Sequence, residues 1–134
     1  MKEILFHPSL DNLEDATYFF ESFLTEADAP MKAIMQVNVA VDEILSNIVR
    51  YSGANVVTLS CELADGKAIL HFSDDGRYYD PTAQAAPDIT LSAEERDIGG
   101  LGIYIVKKTM DSVRYEYKDG RNVLTLVKNI APIA

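Results

Sequence analysis

The stretch VVTLSCELADGKAILHFS, residues 56–73, decides the fold class of this chain. Its two halves, residues 56–63 and 68–73, are alternating or β-branched runs, which are typical of strands. The turn between them contains Asp65-Gly66, and Asp-Gly is a strong signal for a tight hairpin. The stretch therefore predicts an antiparallel pair of strands.

Helices are predicted on both sides of this hairpin. Leu13, Ala16, Phe20 and Leu24 recur at the three- and four-residue spacing of an amphipathic helix. A second helix is predicted from residue 30 to about residue 51, and a third over residues 103–110. Further strands are predicted at residues 2–7, 112–117 and 123–128. This order predicts an α+β fold, with helices on one face of a mostly antiparallel mixed sheet.

The composition is that of one globular domain spanning residues 1–134. The net charge of −9 works against a nucleic acid or an anionic membrane as the main partner, because both repel an acidic surface. Cys61 is the only cysteine, so no intrachain disulfide can form. The sequence contains neither a signal-peptide pattern nor an apolar run of about 18 residues, and we expect a cytoplasmic protein.

Glu43 and Asn47 form the first of three motifs that carry chemistry. They lie four residues apart in the second predicted helix and so share one of its faces. The pair has two interpretations. It is either a solvated polar face, or a site in which the Asn47 oxygen holds a hard cation such as Mg²⁺ while the Glu43 carboxylate takes a proton.

Asp74-Asp75-Gly76 forms the second motif, directly after the strand of residues 68–73. Such a sequence is typical of an ordinary turn. The functional alternative is that Asp74 accepts a hydrogen bond from an exocyclic amine such as that of adenine, while Gly76 lets the ring approach the backbone.

Gly99-Gly100-Leu101-Gly102 forms the third motif, at the end of a long irregular stretch that begins at residue 74. One interpretation is a flexible hinge. The other is an anion site, because glycines ahead of a helix leave backbone N–H groups pointing at whatever occupies the helix N-terminus. The standard phosphate-binding fingerprints do not fit this segment, since G-x-x-x-x-G-K-[ST] is absent and Ile105 stands at the third dinucleotide glycine position.

The order of these motifs resembles that of the ATP-binding domains of the Bergerat (GHKL) fold, the histidine-kinase-like ATPases. Within them, the chain is similar to the anti-sigma factor serine-protein kinases. That family carries E-x-x-x-N on a helix, D-x-G at a strand end and G-G-x-G-[IL] before a helix, and all three occur here in that order. The resemblance covers nearly the whole chain and implies a two-layer α/β sandwich.

The resemblance also implies a role for each motif residue. Glu43 would act as the general base toward a substrate hydroxyl, and Asn47 would coordinate Mg²⁺. Asp74 and Gly76 would seat adenine, and Thr125 on the last strand would touch it less directly.

The phosphates of ATP would be cradled by the glycine motif, whose members are Gly99, Gly100, Leu101 and Gly102. Residues 82–98 would form a lid over ATP, with Arg96 as a phosphate contact. One departure from the family pattern is Tyr51, which stands where many members have His and bears on the details of catalysis.

The function implied by the resemblance is an ATP- and Mg²⁺-dependent serine/threonine-protein kinase. Its substrate would be an anti-anti-sigma antagonist protein of the STAS type, and the free kinase would sequester a sigma factor, for which an acidic surface suits a basic helix. Homodimerisation is implied as well. The alternative is an ATP-binding partner-switching module that transfers no phosphate.

Overall fold

The computed structural model describes residues 2–83 and 98–131, in which helices pack on a five-stranded sheet. The elements are β1 (Lys2–Phe6), α1 (Leu13–Glu26), α2 (Met31–Asn47), β2 (Val57–Ala64), β3 (Lys67–Asp74), α3 (Ile98–Thr109), β4 (Ser112–Lys118) and β5 (Arg121–Asn129). Short 3-10 turns cover Leu10–Asn12 and Pro81–Ala83, and a π-helical turn, Ile48–Ser52, extends α2. The predicted α+β class is confirmed.

The strands lie in the order β1-β2-β3-β5-β4, and all four described pairings are antiparallel. The predicted hairpin of β2 and β3 is present, and β4 and β5 form a second one. Asp65-Gly66 and Asp119-Gly120 adopt positive φ angles, as the favoured two-residue hairpin turns require. Strand β3 is central, since it pairs with β2 on one side and β5 on the other. The C-terminal end of β3, which carries Asp74, therefore lies between the ends of β2 and β5.

One face of the sheet is covered by the helices, with α2 in contact with both α1 and α3. Along β3, alternate residues point into this interface, so Ala68, Leu70 and Phe72 are buried while their neighbours are only half-buried. The ring of Phe72 lies 5.3 Å from that of Phe20 on α1. The same alternation places Asp74, the last residue of β3, on the covered face.

Cys61 lies in this core and is fully buried. Burial raises the pKa of its thiol to about 11, so the group stays protonated at neutral pH. A nucleophilic role for Cys61 is therefore unfavourable. No helix among residues 2–83 and 98–131 has the length and apolar character needed to cross a membrane.

Helix α3 begins earlier than predicted. It starts at Ile98 rather than residue 103, so the glycine motif forms its first turn instead of a loop ahead of it. Glycine disfavours a helix in isolation, but packing against α2 overrides this preference, because tertiary contacts supply most helix stability in proteins.

Candidate functional site

A recess opens between the C-terminal part of α2 and the ends of β3 and β5. Its empty volume is about 350 Å³ when the space open to solvent is included. The recess is lined by Ile44, Asn47, Ile48, Ser52, Phe72, Asp74, Tyr79, Pro81, Tyr115, Asn122 and Leu124. Two of the predicted site residues, Asn47 and Asp74, thus line one cavity.

Asp74 places a carboxylate at the wall of the recess while only 3% of the residue is exposed. Its Oδ1 accepts hydrogen bonds from the backbone N–H of Gly76 at 2.9 Å and from Nδ2 of Asn122 at 3.0 Å. Burial raises the pKa of this carboxyl, and the bonds from Asn122 and Gly76 oppose the rise. Because both bonds end on Oδ1, Oδ2 is the oxygen available to a ligand donor.

Gly76 is the point at which the loop after β3 meets the end of α2. A Cβ placed on Gly76 would lie 2.7 Å from Cβ and 2.8 Å from the carbonyl carbon of Ser52, closer than real contacts allow. The next residue, Arg77, donates its backbone N–H to the Ser52 carbonyl at 2.8 Å. Glycine is therefore required at position 76 for backbone packing, a role that the sequence interpretation did not include.

The Glu43–Asn47 pair is not a solvated polar face. Asn47 is only 4% exposed, and its Nδ2 donates to Oε1 of Glu43 at 3.2 Å. This bond turns the amide so that Oδ1 is left, and Oδ1 is buried with no hydrogen-bond partner among residues 2–83 and 98–131. An unpaired buried acceptor is costly, and a carboxamide oxygen is a ligand that Mg²⁺ accepts. The geometry fits the metal role implied for Asn47.

A metal held here would need further ligands from outside the protein side chains. The described part of the chain contains no cluster of three or more His, Cys, Asp or Glu residues that could hold an ion by itself. Magnesium commonly binds through one or two protein groups together with substrate phosphates, and the single oxygen of Asn47 suits that mode.

Gly102 brings α3 against this pair. A Cβ on Gly102 would overlap the carboxyl group of Glu43, so the absent side chain is the space that the carboxylate fills. Gly99, Gly100 and Leu101 belong to the first turn of α3, directly ahead of Gly102. The first four backbone N–H groups of a helix lack intrahelical acceptors, so this end of α3 suits an anion.

One predicted contact, Thr125, is not brought to the recess. Thr125 lies opposite His71 on the uncovered face of the sheet, where its Oγ1 is 3.0 Å from Nδ1 of that histidine. Because Thr125 is three residues from Asn122, it points to the other side of β5 and does not line the recess. Arg96 and most of the predicted lid, residues 84–97, lie outside the described residues.

Tyr51 stands beside the site without entering it. Its ring is 42% exposed and lies 5.4 Å from the ring of Tyr79, which lines the recess. Tyr51, the departure from the family pattern noted in the sequence, thus packs here on an aromatic neighbour.

Asn122 is the main site residue that the sequence interpretation missed. It is 5% exposed and lies directly opposite Asp74 in the pairing of β5 with β3. A signal was present in the sequence, since Asn122 shares the inward face of β5 with Leu124 and Leu126. A polar residue in the inward register of an apolar strand is expected to have buried partners.

Comparisons with known proteins agree with this geometry. The profile of the family described as "Histidine kinase-like ATPase domain" matches residues 6–128. The serine/threonine-protein kinase BtrW of Bordetella bronchiseptica is 28% identical over 122 residues, which are 88% of this chain and 86% of that protein. The anti-sigma F factor of Clostridium acetobutylicum is 23% identical over 129 residues, 94% of this chain and 90% of that protein.

The fold is likewise shared with solved structures. The crystal structure of the RsbU and RsbW domains of a Mycobacterium tuberculosis protein superposes with a TM-score of 0.69 at 15% sequence identity. The match covers 100% of this chain and 34% of that one, so this chain spans about a third of its length.

The two close-packed glycines are predicted to differ in their tolerance of a methyl group. Gly102→Ala should change the free energy of unfolding by less than about 1 kcal/mol, because its obstacle is the flexible end of Glu43 and alanine favours a helix. Gly76→Ala should lower it by about 1–3 kcal/mol, because its obstacle is the Ser52 backbone. Urea unfolding of both variants measures the difference, and equal losses would contradict it.

The raised pKa of Asp74 predicts a pH-dependent gain in stability for Asp74→Asn. Below the usual aspartate pKa of 3.8, Asp74 is neutral in both folded and unfolded chains, and the two proteins should differ little. As the pH rises through the raised folded-state pKa, the wild type must bury a charge and loses stability that the variant keeps. Urea unfolding from about pH 3, below the ordinary aspartate pKa, up to about pH 8 should show this growing difference. A difference of opposite slope would refute the assignment.

Proposed function

This chain belongs to the family of histidine kinase-like ATPase domains, and from that premise we propose that it is an ATP-binding anti-sigma factor with serine/threonine-protein kinase activity. The observation that carries the proposal is that Asn47, which is hydrogen-bonded to Glu43, lines the same recess as Asp74. The names of the relatives, a serine/threonine-protein kinase and an anti-sigma factor, support it.

The nucleotide is proposed to lie along the recess, with adenine at Asp74. The exocyclic amine of adenine donates to Oδ2, the carboxylate oxygen that Gly76 and Asn122 leave open. The phosphates lie at the N-terminus of α3, where the glycine motif provides unpaired N–H groups. Arg96 and a lid at residues 82–98 remain parts of the proposal.

Phosphoryl transfer needs mainly positioning and neutralisation of charge. Mg²⁺ held by Asn47 and the phosphate oxygens would supply that neutralisation. The hydroxyl oxygen of the protein substrate bonds to the γ-phosphorus as the bond from that phosphorus to the bridging oxygen breaks, and ADP leaves. Glu43 accepts the hydroxyl proton. Its position between Asn47 and Gly102, near the C-terminal end of α2, suits this role.

The proposed substrate is an anti-anti-sigma antagonist protein of the STAS type, and the proposed target of sequestration is a sigma factor. The net charge of −9 supports a partner with a basic surface. We also propose a cytoplasmic location and a homodimer. The second candidate is a partner-switching module that binds ATP without transferring phosphate, and the hydrogen bond between half-buried Glu43 and buried Asn47 favours the kinase over it.

The kinase proposal predicts that Glu43→Gln abolishes transfer and spares ATP binding. The chain is incubated with γ-labelled ATP, Mg²⁺ and its candidate antagonist, and label on the antagonist is measured. The glutamine keeps the size and an acceptor for Asn47 but cannot take the proton, so the rate should fall at least about 100-fold. Asp42→Asn is the matched control, because Asp42 is the exposed acidic neighbour on α2 and its variant should keep the rate. No transfer by the wild type, with ATP binding intact, would favour the switch module.

The metal assignment predicts that Asn47→Ala removes the effect of Mg²⁺ on ATP affinity. In the wild type, affinity should be higher with Mg²⁺ than with EDTA, and in the variant the two affinities should converge, with a loss of about 10–100-fold in the Mg²⁺-dependent part. Asn38→Ala is the control, since Asn38 on the same helix also has an unpaired buried Oδ1 but does not line the recess. Calorimetric titration measures both, and an unchanged Mg²⁺ effect in Asn47→Ala would remove the assignment.

A further inference from the structure

We propose that Asn122 is a positioning residue that aims the Asp74 carboxylate and holds the loop after β3, and that it thereby sets the preference for a purine bearing an exocyclic amine. The inference rests on the proposed function, in which Asp74 accepts a hydrogen bond from that amine. The three sequence motifs described above do not include this residue.

The carboxamide of Asn122 is fully used by the protein. An asparagine side chain has two N–H donors and an oxygen that accepts two bonds. Its Nδ2 donates to Oδ1 of Asp74 at 3.0 Å and to the carbonyl of Arg77 at 2.7 Å. Its Oδ1 accepts from the backbone N–H of Tyr79 at 3.0 Å and from the hydroxyl of Tyr115. No capacity is left for a ligand, so Asn122 acts on the nucleotide through Asp74.

The position of Asn122 lets one side chain connect three strands. It stands on β5 directly opposite Asp74 of β3, and the hydroxyl of Tyr115 reaches it from β4. Asn122 and Asp74 are buried, and hydrogen bonds in such surroundings are strong when satisfied and costly when broken. A buried asparagine whose bonds all go to protein groups is therefore a rigid reference point for the carboxylate.

The conformation of the loop after β3 depends on Asn122. Residues 75–80 have no helix or strand, and the loop backbone is tied to Asn122 at both Arg77 and Tyr79. On the α2 side, the backbone N–H of Arg77 is bonded to Ser52. Without Asn122, Oδ1 of Asp74 keeps only the bond from Gly76, and the carboxylate can rotate away from the ligand. The interaction that is lost is then the hydrogen bond between the Asp74 carboxylate and the exocyclic amine of the purine.

The test compares the affinity for ATP with that for purine riboside triphosphate, which lacks the exocyclic amine. The wild type should bind ATP at least about tenfold more tightly, since a site built to pair with a donor rejects the analogue without it. In Asn122→Ala, this ratio should fall to within about threefold, while affinity for the analogue changes little. Thr125→Ala is the matched control, because Thr125 lies on the opposite face of the same strand and its variant should keep the ratio.

Tyr115→Phe provides a milder variant, because it removes one hydroxyl and keeps the ring and the Asn122 side chain. It should lower the ratio partially, and it decides the test if circular dichroism shows that Asn122→Ala is unfolded. If Asn122→Ala is folded and keeps the wild-type ratio, this inference alone is overturned. If Asn122→Ala is unfolded, a wild-type ratio in Tyr115→Phe has the same consequence. Equal binding of both nucleotides by the wild type would overturn the Asp74–adenine contact of the proposed function, and this inference with it.

Discussion

The site depends on the contact between Gly76 and the backbone of Ser52. This contact, with the bond from the Arg77 N–H to the Ser52 carbonyl, holds the end of the central strand against the end of α2. Each element contributes one polar side chain to the recess, since β3 ends in Asp74 and α2 ends in Asn47. Only because the two ends touch do a carboxylate and a carboxamide line one recess. A larger residue at position 76 would separate them.

The two close-packed glycines join the site in different ways. Gly76 meets the backbone of another element, which cannot move without moving α2. Gly102 meets the end of a side chain, and its missing Cβ is the space in which the Glu43 carboxylate lies. The first glycine therefore belongs to the architecture, and the second sets the position of a reactive group. The helix that carries the proposed phosphate site is thus packed on the residue proposed to take the proton.

Polar groups are concentrated in a part of the core where apolar packing would be more stable. Asn47, Asp74 and Asn122 are each at most 5% exposed. Burial of such groups is unfavourable unless they are paired, and an unpaired acceptor costs about 1–3 kcal/mol. Asp74 and Asn122 are hydrogen-bonded to each other, whereas Oδ1 of Asn47 has no partner in the described part of the chain. A ligand-binding role for Asn47 would explain why this free-energy cost is left uncompensated within the protein. Such a role agrees with a family whose domains are ATPases.

The sequence by itself determined the features that arise from local interactions. The hairpins follow from Asp65-Gly66 and Asp119-Gly120, because these residues adopt the positive φ angles of tight turns. The pairing of Glu43 with Asn47 follows from helical spacing alone, since residues four apart share a face.

The tertiary structure decided what depends on contacts between distant segments. Helix α3 begins at Ile98 because packing on α2 overrides the low helix propensity of glycine. Asn122 and Thr125 are both polar residues of β5, and which one faces the recess depends on the register of β5 against β3. In a strand, a shift of one residue exchanges the two faces, and that register is fixed by the burial of whole faces rather than by any single residue.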